Sequence, residues 1–184
     1  MGFWIAALTQ GFAFVAVAWG VYLSARVLRF ADITPDGSFT FGAAVAAALL
    51  VQDAHPLVAT TVAVAAGMLA GYVTGLLHTR LGVSDLLSGI LVMTALYSVN
   101  LHVMGRSNVS LLDTETLATP VHALVPATTS WSDDVTFGVI FFAISLLLGA
   151  LLTWYLKTDF GIAMRSVGDN PAMITAQGVD RRRM

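Results

Sequence analysis

An all-α, polytopic membrane protein is the fold class this sequence predicts, and three observations predict it. Of its 184 residues 57% are hydrophobic and only 11% charged, with a mean hydropathy of +0.81, far from the composition of a water-soluble domain. The few charged residues cut the chain into uncharged runs at 1–25, 37–52, 54–79, 86–105 and 135–156, and most of these are long enough to cross about 30 Å of hydrocarbon as helices. Threading the five runs through a membrane also collects nearly all the basic residues on one side.

The first run opens on Met-Gly-Phe-Trp with no basic stretch ahead of it, so it is expected to remain as a span rather than be cleaved as a signal peptide. The second run is the odd one: 16 uncharged residues reach only about 24 Å as a helix. Something polar must therefore enter the membrane beside it, and Asp32 to Ser38 is the candidate. Pro35 and Gly37 break helices, while Asp32, Thr34, Asp36 and Ser38 supply carboxylates and hydroxyls that could line a cavity. Irregular backbone at that depth needs protein or water to satisfy it, and a carboxylate there costs about 2.5–3.5 kcal/mol. The competing reading is a cytoplasmic turn with an Asp-Gly corner, followed by a tilted short helix. In either case Arg26 and Arg29 are placed to pair with these aspartates.

In the third run Ala63, Gly67, Gly71 and Gly75 recur every four residues, a smooth stripe on which another backbone can approach closely. Packing within one subunit and dimerisation both fit it. The fourth run carries Ser88, Thr94, Ser98, Asn100 and His102 among leucines and valines, with positions 94, 98 and 102 spaced to share a face. Such a stripe either lines a path or bonds to neighbouring helices. Segment 107–134, with Asp113, Glu115, Pro120, Pro126, Asp133 and Asp134, is expected to be an external loop, either a contact surface or a solvated connection.

After the fifth run the chain turns polar and reads RSVGDNPAMITAQG from Arg165 to Gly178 before Arg181, Arg182 and Arg183. Asn170 suits an N-cap, Pro171 the first helical position and Gly178 the left-handed residue after a helix. About two turns are too few for a helix stable alone, so this one is expected to dock on something. With five crossings Arg26, Arg29, Arg80, Lys157, Arg165, Arg181, Arg182 and Arg183 lie on one side and only Arg106 on the other. The positive-inside rule then puts the N-terminus outside and the tail in the cytoplasm.

Several classes are excluded or unsupported. A net charge of −2 gives no reason to expect nucleic acid, and the absence of cysteine rules out disulfides and thiolate chemistry. The zinc-protease, nucleophile-elbow and phosphate-loop motifs are lacking. His55, His78, His102 and His122 lie far apart in the sequence, so no metal set or cofactor is expected.

Three blocks, Gly20 to Ala44, Leu86 to Ser110 and Arg165 to Gly178, resemble, in the same order, the permease subunits of bacterial ABC importers of the branched-chain amino-acid and ribose type. The similarity is greatest to the tryptophan-type subset. The resemblance implies a single transmembrane permease domain over 1–184, in the bacterial plasma membrane, with a cytoplasmic coupling segment at 157–184. It implies a homodimer, a cytoplasmic ATP-binding subunit that hydrolyses ATP, and an external solute-binding protein that delivers an amino acid or similar small solute. Arg165, Gly168, Asp169, Asn170, Pro171 and Gly178 would form the coupling helix, and the chain itself would be no enzyme. Asp32, Thr34, Asp36, Gly37, Ser38, Thr94, Ser98 and Asn100 are the candidates for the solute path, and Gly67, Gly71 and Gly75 for helix packing. Members of this family continue beyond the coupling helix into further spans, so a truncated chain or one piece of a split permease is expected. The alternatives are an ATP-independent membrane scaffold or channel and a non-functional permease fragment.

Overall fold

The computed structural model describes residues 2–111, 114–117, 119 and 133–169. Within the described residues every regular element is helical. The chain divides into two compact units, one drawing on Met1–Ala31 and Ser130–Met184, the other on Asp32–Thr129.

In the first unit α1, Gly2–Tyr22, runs on into a π-helical turn, Leu23–Val27, and packs against α5, Asp133–Leu156. Both are apolar on all sides, so no amphipathic face selects their seam; small residues do. A Cβ on Gly138 would sit 2.9 Å from Thr9 Oγ1, and one on Gly149 would sit 2.9 Å from the Trp19 indole. The two glycines are 11 residues apart, three helical turns, and so share a face. Between them Phe12 meets Phe142 edge to face, with ring centroids 5.1 Å apart. The Trp19 Nε1–H is enclosed without a hydrogen-bond partner among the described residues.

After α5, Thr158 turns the chain into a short amphipathic helix, α6, Asp159–Asp169. Its hydroxyl accepts from the Gly161 N–H at 3.4 Å, while its carbonyl accepts from the Ile162 N–H at 3.0 Å. Asp159 adds a carboxylate where the helix dipole favours one.

The second unit is built from α2, Thr34–Leu50, α3, Pro56–Leu81, and α4, Asp85–Met104, with α2 packed on both of the others. Its turns are chemically specified. His55 caps α3 by accepting from the Leu57 N–H at 3.3 Å, and Pro56 follows at the first helical position. Gly82, at φ 68°, ends α3 in the left-handed region that costs glycine nothing. Gly105 ends α4 in the same way at φ 65°. The core is Ala70, Val92 and Leu96, flanked by Phe41 and Leu77.

Among the described residues four helical stretches are long and apolar enough to cross a membrane: Phe3–Val27, Pro56–Leu81, Asp85–Met104 and Val135–Leu156. The fifth apolar run forms the 17-residue α2, about 25 Å long. The five expected crossings thus become four helices of spanning length and one short helix.

Inside these helices hydroxyls turn back on their own backbone. Thr9 donates to the Ile5 carbonyl, Ser24 to Gly20, Thr94 to Ile90 and Thr153 to Gly149, at 2.7–3.0 Å. This satisfies a polar group where no water is available.

Candidate functional site

The N-terminus of α2 carries the polar cluster of the second unit. Asp32 Oδ1 accepts from the Thr34 N–H at 2.8 Å and so occupies one of the free donors of the helix end. Thr34 is 1% exposed, and its Oγ1 lies 2.9 Å from Oγ1 of Thr74, also 1% exposed. Thr74 Oγ1 is in turn 3.3 Å from the Ala70 carbonyl. A chain from Thr34 to Thr74 to the Ala70 oxygen uses each hydroxyl proton once. Ser88, fully buried, donates to the Asp85 carbonyl at 2.7 Å.

Two glycines bring the helices close enough for this. A Cβ on Gly89 of α4 would lie 3.1 Å from the Ile33 nitrogen and 3.2 Å from Asp32 Oδ1. A Cβ on Gly37 of α2 would lie 3.2 Å from Met93 Cα. Pro35 and Gly37 therefore sit inside the first turn of α2 and do not interrupt it, and the Asp-Gly pair makes no corner. Irregular backbone stops at Ile33 because Pro35 needs no N–H partner in a first turn.

The predicted path residues separate into two groups. Asp32 caps, Thr34 and Gly37 are packed away, and Ser38 bonds back to the Pro35 carbonyl at 3.1 Å. Asp36, Thr94 and Ser98 are exposed, as is His102. Asn100 is half-buried; its Nδ2–H donates to Thr40 Oγ1 at 3.4 Å, while its Oδ1 is enclosed without a donor among the described residues.

The glycine stripe also divides. Gly67 approaches the Ser38 carbonyl, with 3.8 Å to a built Cβ, and Gly42 of α2 stands 3.4 Å, by the same measure, from the Ala63 carbonyl. Among the described residues a Cβ on Gly71 or Gly75 would meet nothing within 4 Å. The buried row of α3 is Ala59, Ala66, Ala70 and Thr74, so alanines and not glycines form most of that seam.

Valine at position 74 leaves the Thr34 hydroxyl without its acceptor in a dry interior, whereas valine at position 34 leaves the Thr74 hydroxyl still donating to the Ala70 carbonyl, so the change at 74 is expected to cost more. Each single change is expected to cost about 0.6–1.7 kcal/mol, the span found for polar contacts between membrane helices, and the double valine variant less than their sum. SDS-titrated unfolding in bicelles measures this. Strict additivity would mean that the two hydroxyls do not interact.

At the other end of the tail segment, Arg165, Gly168 and Asp169 lie within α6. Asn170, Pro171 and Gly178 lie outside the described residues, as does most of the 107–134 segment. Gly168 presses directly on the Val27 carbonyl oxygen at the end of the π-turn. Arg29, at φ 52°, reaches Asp169 with Nη2 2.7 Å from Oδ1. Among the described residues Arg29 thus pairs with Asp169 and not with Asp32 or Asp36. The hydropathy pattern does not signal the π-turn, whereas α6 shows in the sequence as an amphipathic stretch that starts at the Thr158–Asp159 cap.

Helices of spanning length, hydroxyls returned to their own carbonyls and polar groups gathered at helix ends make this a polytopic α-helical membrane protein. Over residues 3–184 the chain matches the family described as branched-chain amino acid transport system / permease component, and it belongs to that family. It is 38% identical over 176 residues to a tyrosine transport system permease protein of Clostridioides difficile (strain R20291), covering 96% of this chain and 55% of that protein. An uncharacterised protein of Rickettsia prowazekii (strain Madrid E) is 30% identical over 179 residues, covering 97% of this chain and 59% of the relative. The chain therefore spans somewhat more than half the length of these curated relatives. No solved structure matches it.

Proposed function

We propose that this chain is the membrane-embedded permease part of an ATP-driven importer for an amino acid, with tyrosine the first solute to test. The observation that carries this is the family match along 3–184, joined to the 38% identity with a permease named for tyrosine transport. In this reading the N-terminus is outside and the tail is in the cytoplasm of a bacterial cell. A separate cytoplasmic subunit binds and hydrolyses ATP, a solute-binding protein delivers the amino acid from outside, and two permease copies form the path. The segment from Arg165 to Gly178 meets the ATP-binding subunit. Asp36, Thr94, Ser98 and Asn100 face the path, while Asp32, Thr34, Gly37 and Ser38 hold the α2 end that shapes it. Gly71 and Gly75, with no neighbour within 4 Å of a built Cβ among the described residues, meet a second helix surface.

The test is co-purification of the membrane-inserted chain with a candidate ATP-binding subunit, against a chain ending at Thr158. Capture by the full chain and its loss on truncation is the expected result. Equal capture of both forms, or of neither, would refute the docking role of the tail and favour a membrane scaffold that works without ATP.

A further inference from the structure

The two ends of α6 are seated differently from the rest of it. Gly161 and Gly168 are seven residues apart, two turns, and so lie on one face. Gly161 is buried against the backbone of Tyr155 and Leu156, where α5 ends. Gly168 is seated on the Val27 carbonyl, where α1 ends, and a Cβ there would also lie 3.3 Å from the Leu28 carbonyl carbon. Both contacts are backbone on backbone. No side chain intervenes, so no rotamer can absorb a displacement, and packed backbone transmits strain. Outside these contacts, Phe160 is 72% and Ile162 55% exposed. An amphipathic helix that merely lay on a surface would need that outer face but not the glycine at 168.

What Gly168 touches is built to yield. The π-turn closes through Leu28 N–H to the Leu23 carbonyl at 3.1 Å and Phe30 N–H to the Ser24 carbonyl at 2.9 Å. Ser24 Oγ donates to the Gly20 carbonyl at 3.0 Å, which stitches the wide turn to the regular helix above it. Single π-turns are rare and recur at functional sites, and this one ends its helix, so that a return to regular pairing exchanges only the few hydrogen bonds just named. Immediately beyond, Arg29 in the left-handed region and Asp169 at the last residue of α6 make an ion pair across the same joint. Both side chains are more than half exposed, so the pair guides the joint more than it stabilises it.

We propose that α6 is a relay bar: displacement of the cytoplasmic tail passes through Gly168 onto the Val27 carbonyl and is taken up by the π-turn, so that the end of the first span moves with the tail. The relay gives the tail a mechanical output within its own unit, and as part of transport it rests on the reading that the tail meets an ATP-binding subunit.

The full chain in nanodiscs, followed by residue-resolved amide hydrogen exchange, tests it. Gly168→Val is expected to speed exchange of the Leu28 and Phe30 amides about tenfold while residues 5–20 of α1 stay as slow as in the wild type. Arg29→Asp and Asp169→Arg singly should give smaller effects in the same place, and the double variant should restore the wild-type rate. Unchanged exchange at 28 and 30 in an inserted Gly168→Val variant overturns the proposal, and so does a uniform rise along the whole of α1. In a second arm the ATP-binding subunit and a non-hydrolysable ATP analogue are added. Binding that alters the two amides in the wild type but not in Gly168→Val supports the relay, and binding that leaves them unmoved overturns it. Failure of the subunit to bind the wild type removes the coupling reading, while the first arm alone decides the relay.

Discussion

Leucine in place of Gly89 is expected to produce the largest loss of stability of any single change in the second unit. Its first carbon would already stand 3.1 Å from the Ile33 nitrogen and 3.2 Å from the Asp32 carboxylate, and the branched remainder has nowhere to go but into them. The α2 end must then move away from α4. That strips the Asp32 cap from the Thr34 N–H and pulls Thr34 from Thr74, so overpacking is compounded by two lost hydrogen bonds. About 3 kcal/mol is expected for leucine, the upper part of the range for overpacked cores. For Gly89→Ala the contact needs a shift of only a few tenths of an ångström, and alanine's better helix propensity offsets up to about 1 kcal/mol of that cost. SDS-titrated unfolding of the three proteins should rank them glycine, alanine, leucine or alanine, glycine, leucine. A leucine variant as stable as the wild type would show that the α2 end is free to move.

The second large effect concerns transport. Replacing Pro171 and Gly178 together with alanine and valine removes the two sequence signals from which a short tail helix is expected, a residue suited to a first turn and one suited to the left-handed position after it. If the proposed function holds, this variant in the intact importer is expected to keep its place in the membrane and let the ATP-binding subunit continue to hydrolyse ATP, but to lose solute uptake. Parallel assays of phosphate release and tyrosine accumulation in proteoliposomes measure the split. Uptake at the wild-type rate would sink the idea that a bounded helix couples the two, and loss of both activities would point instead to failed assembly.

The helical class, the run boundaries and the family were legible because they rest on quantities that sequence carries directly: the spacing of charges and three ordered blocks. The inadequate length of α2 was legible in the same way. What could not be read was which face of each helix is inside. Between membrane helices, apolar residues cover both the seam and the outer surface, so hydrophobicity does not separate them. Alanine at 59, 66 and 70 looks the same in sequence as alanine at 63 and 65, yet the first three are buried. Glycine shows the same limit: Gly71 and Gly75 stand out in the sequence and have no neighbour within 4 Å of a built Cβ among the described residues, whereas Gly138 and Gly149, which receive Thr9 and Trp19, occur singly in a run of large residues. At the candidate site the hydroxyl chain from Thr34 to Thr74 joins residues 40 apart, a distance over which no local pattern operates. The π-turn depends on what presses on it, and its partner Gly168 is more than 140 residues away.

The three helices of the second unit are unequal, at 17, 26 and 20 residues, or about 25, 39 and 30 Å. A bilayer whose oily layer suits one of them is mismatched to another by several ångströms, and the mismatch is met by tilting the long helix or by locally compressing the lipid, at fractions of a kcal/mol per ångström. Unequal length therefore makes the thickness of the surrounding membrane a variable of the unit: thin bilayers favour α2 upright and α3 tilted, and thick ones draw α3 upright and leave the polar end of α2 under tension.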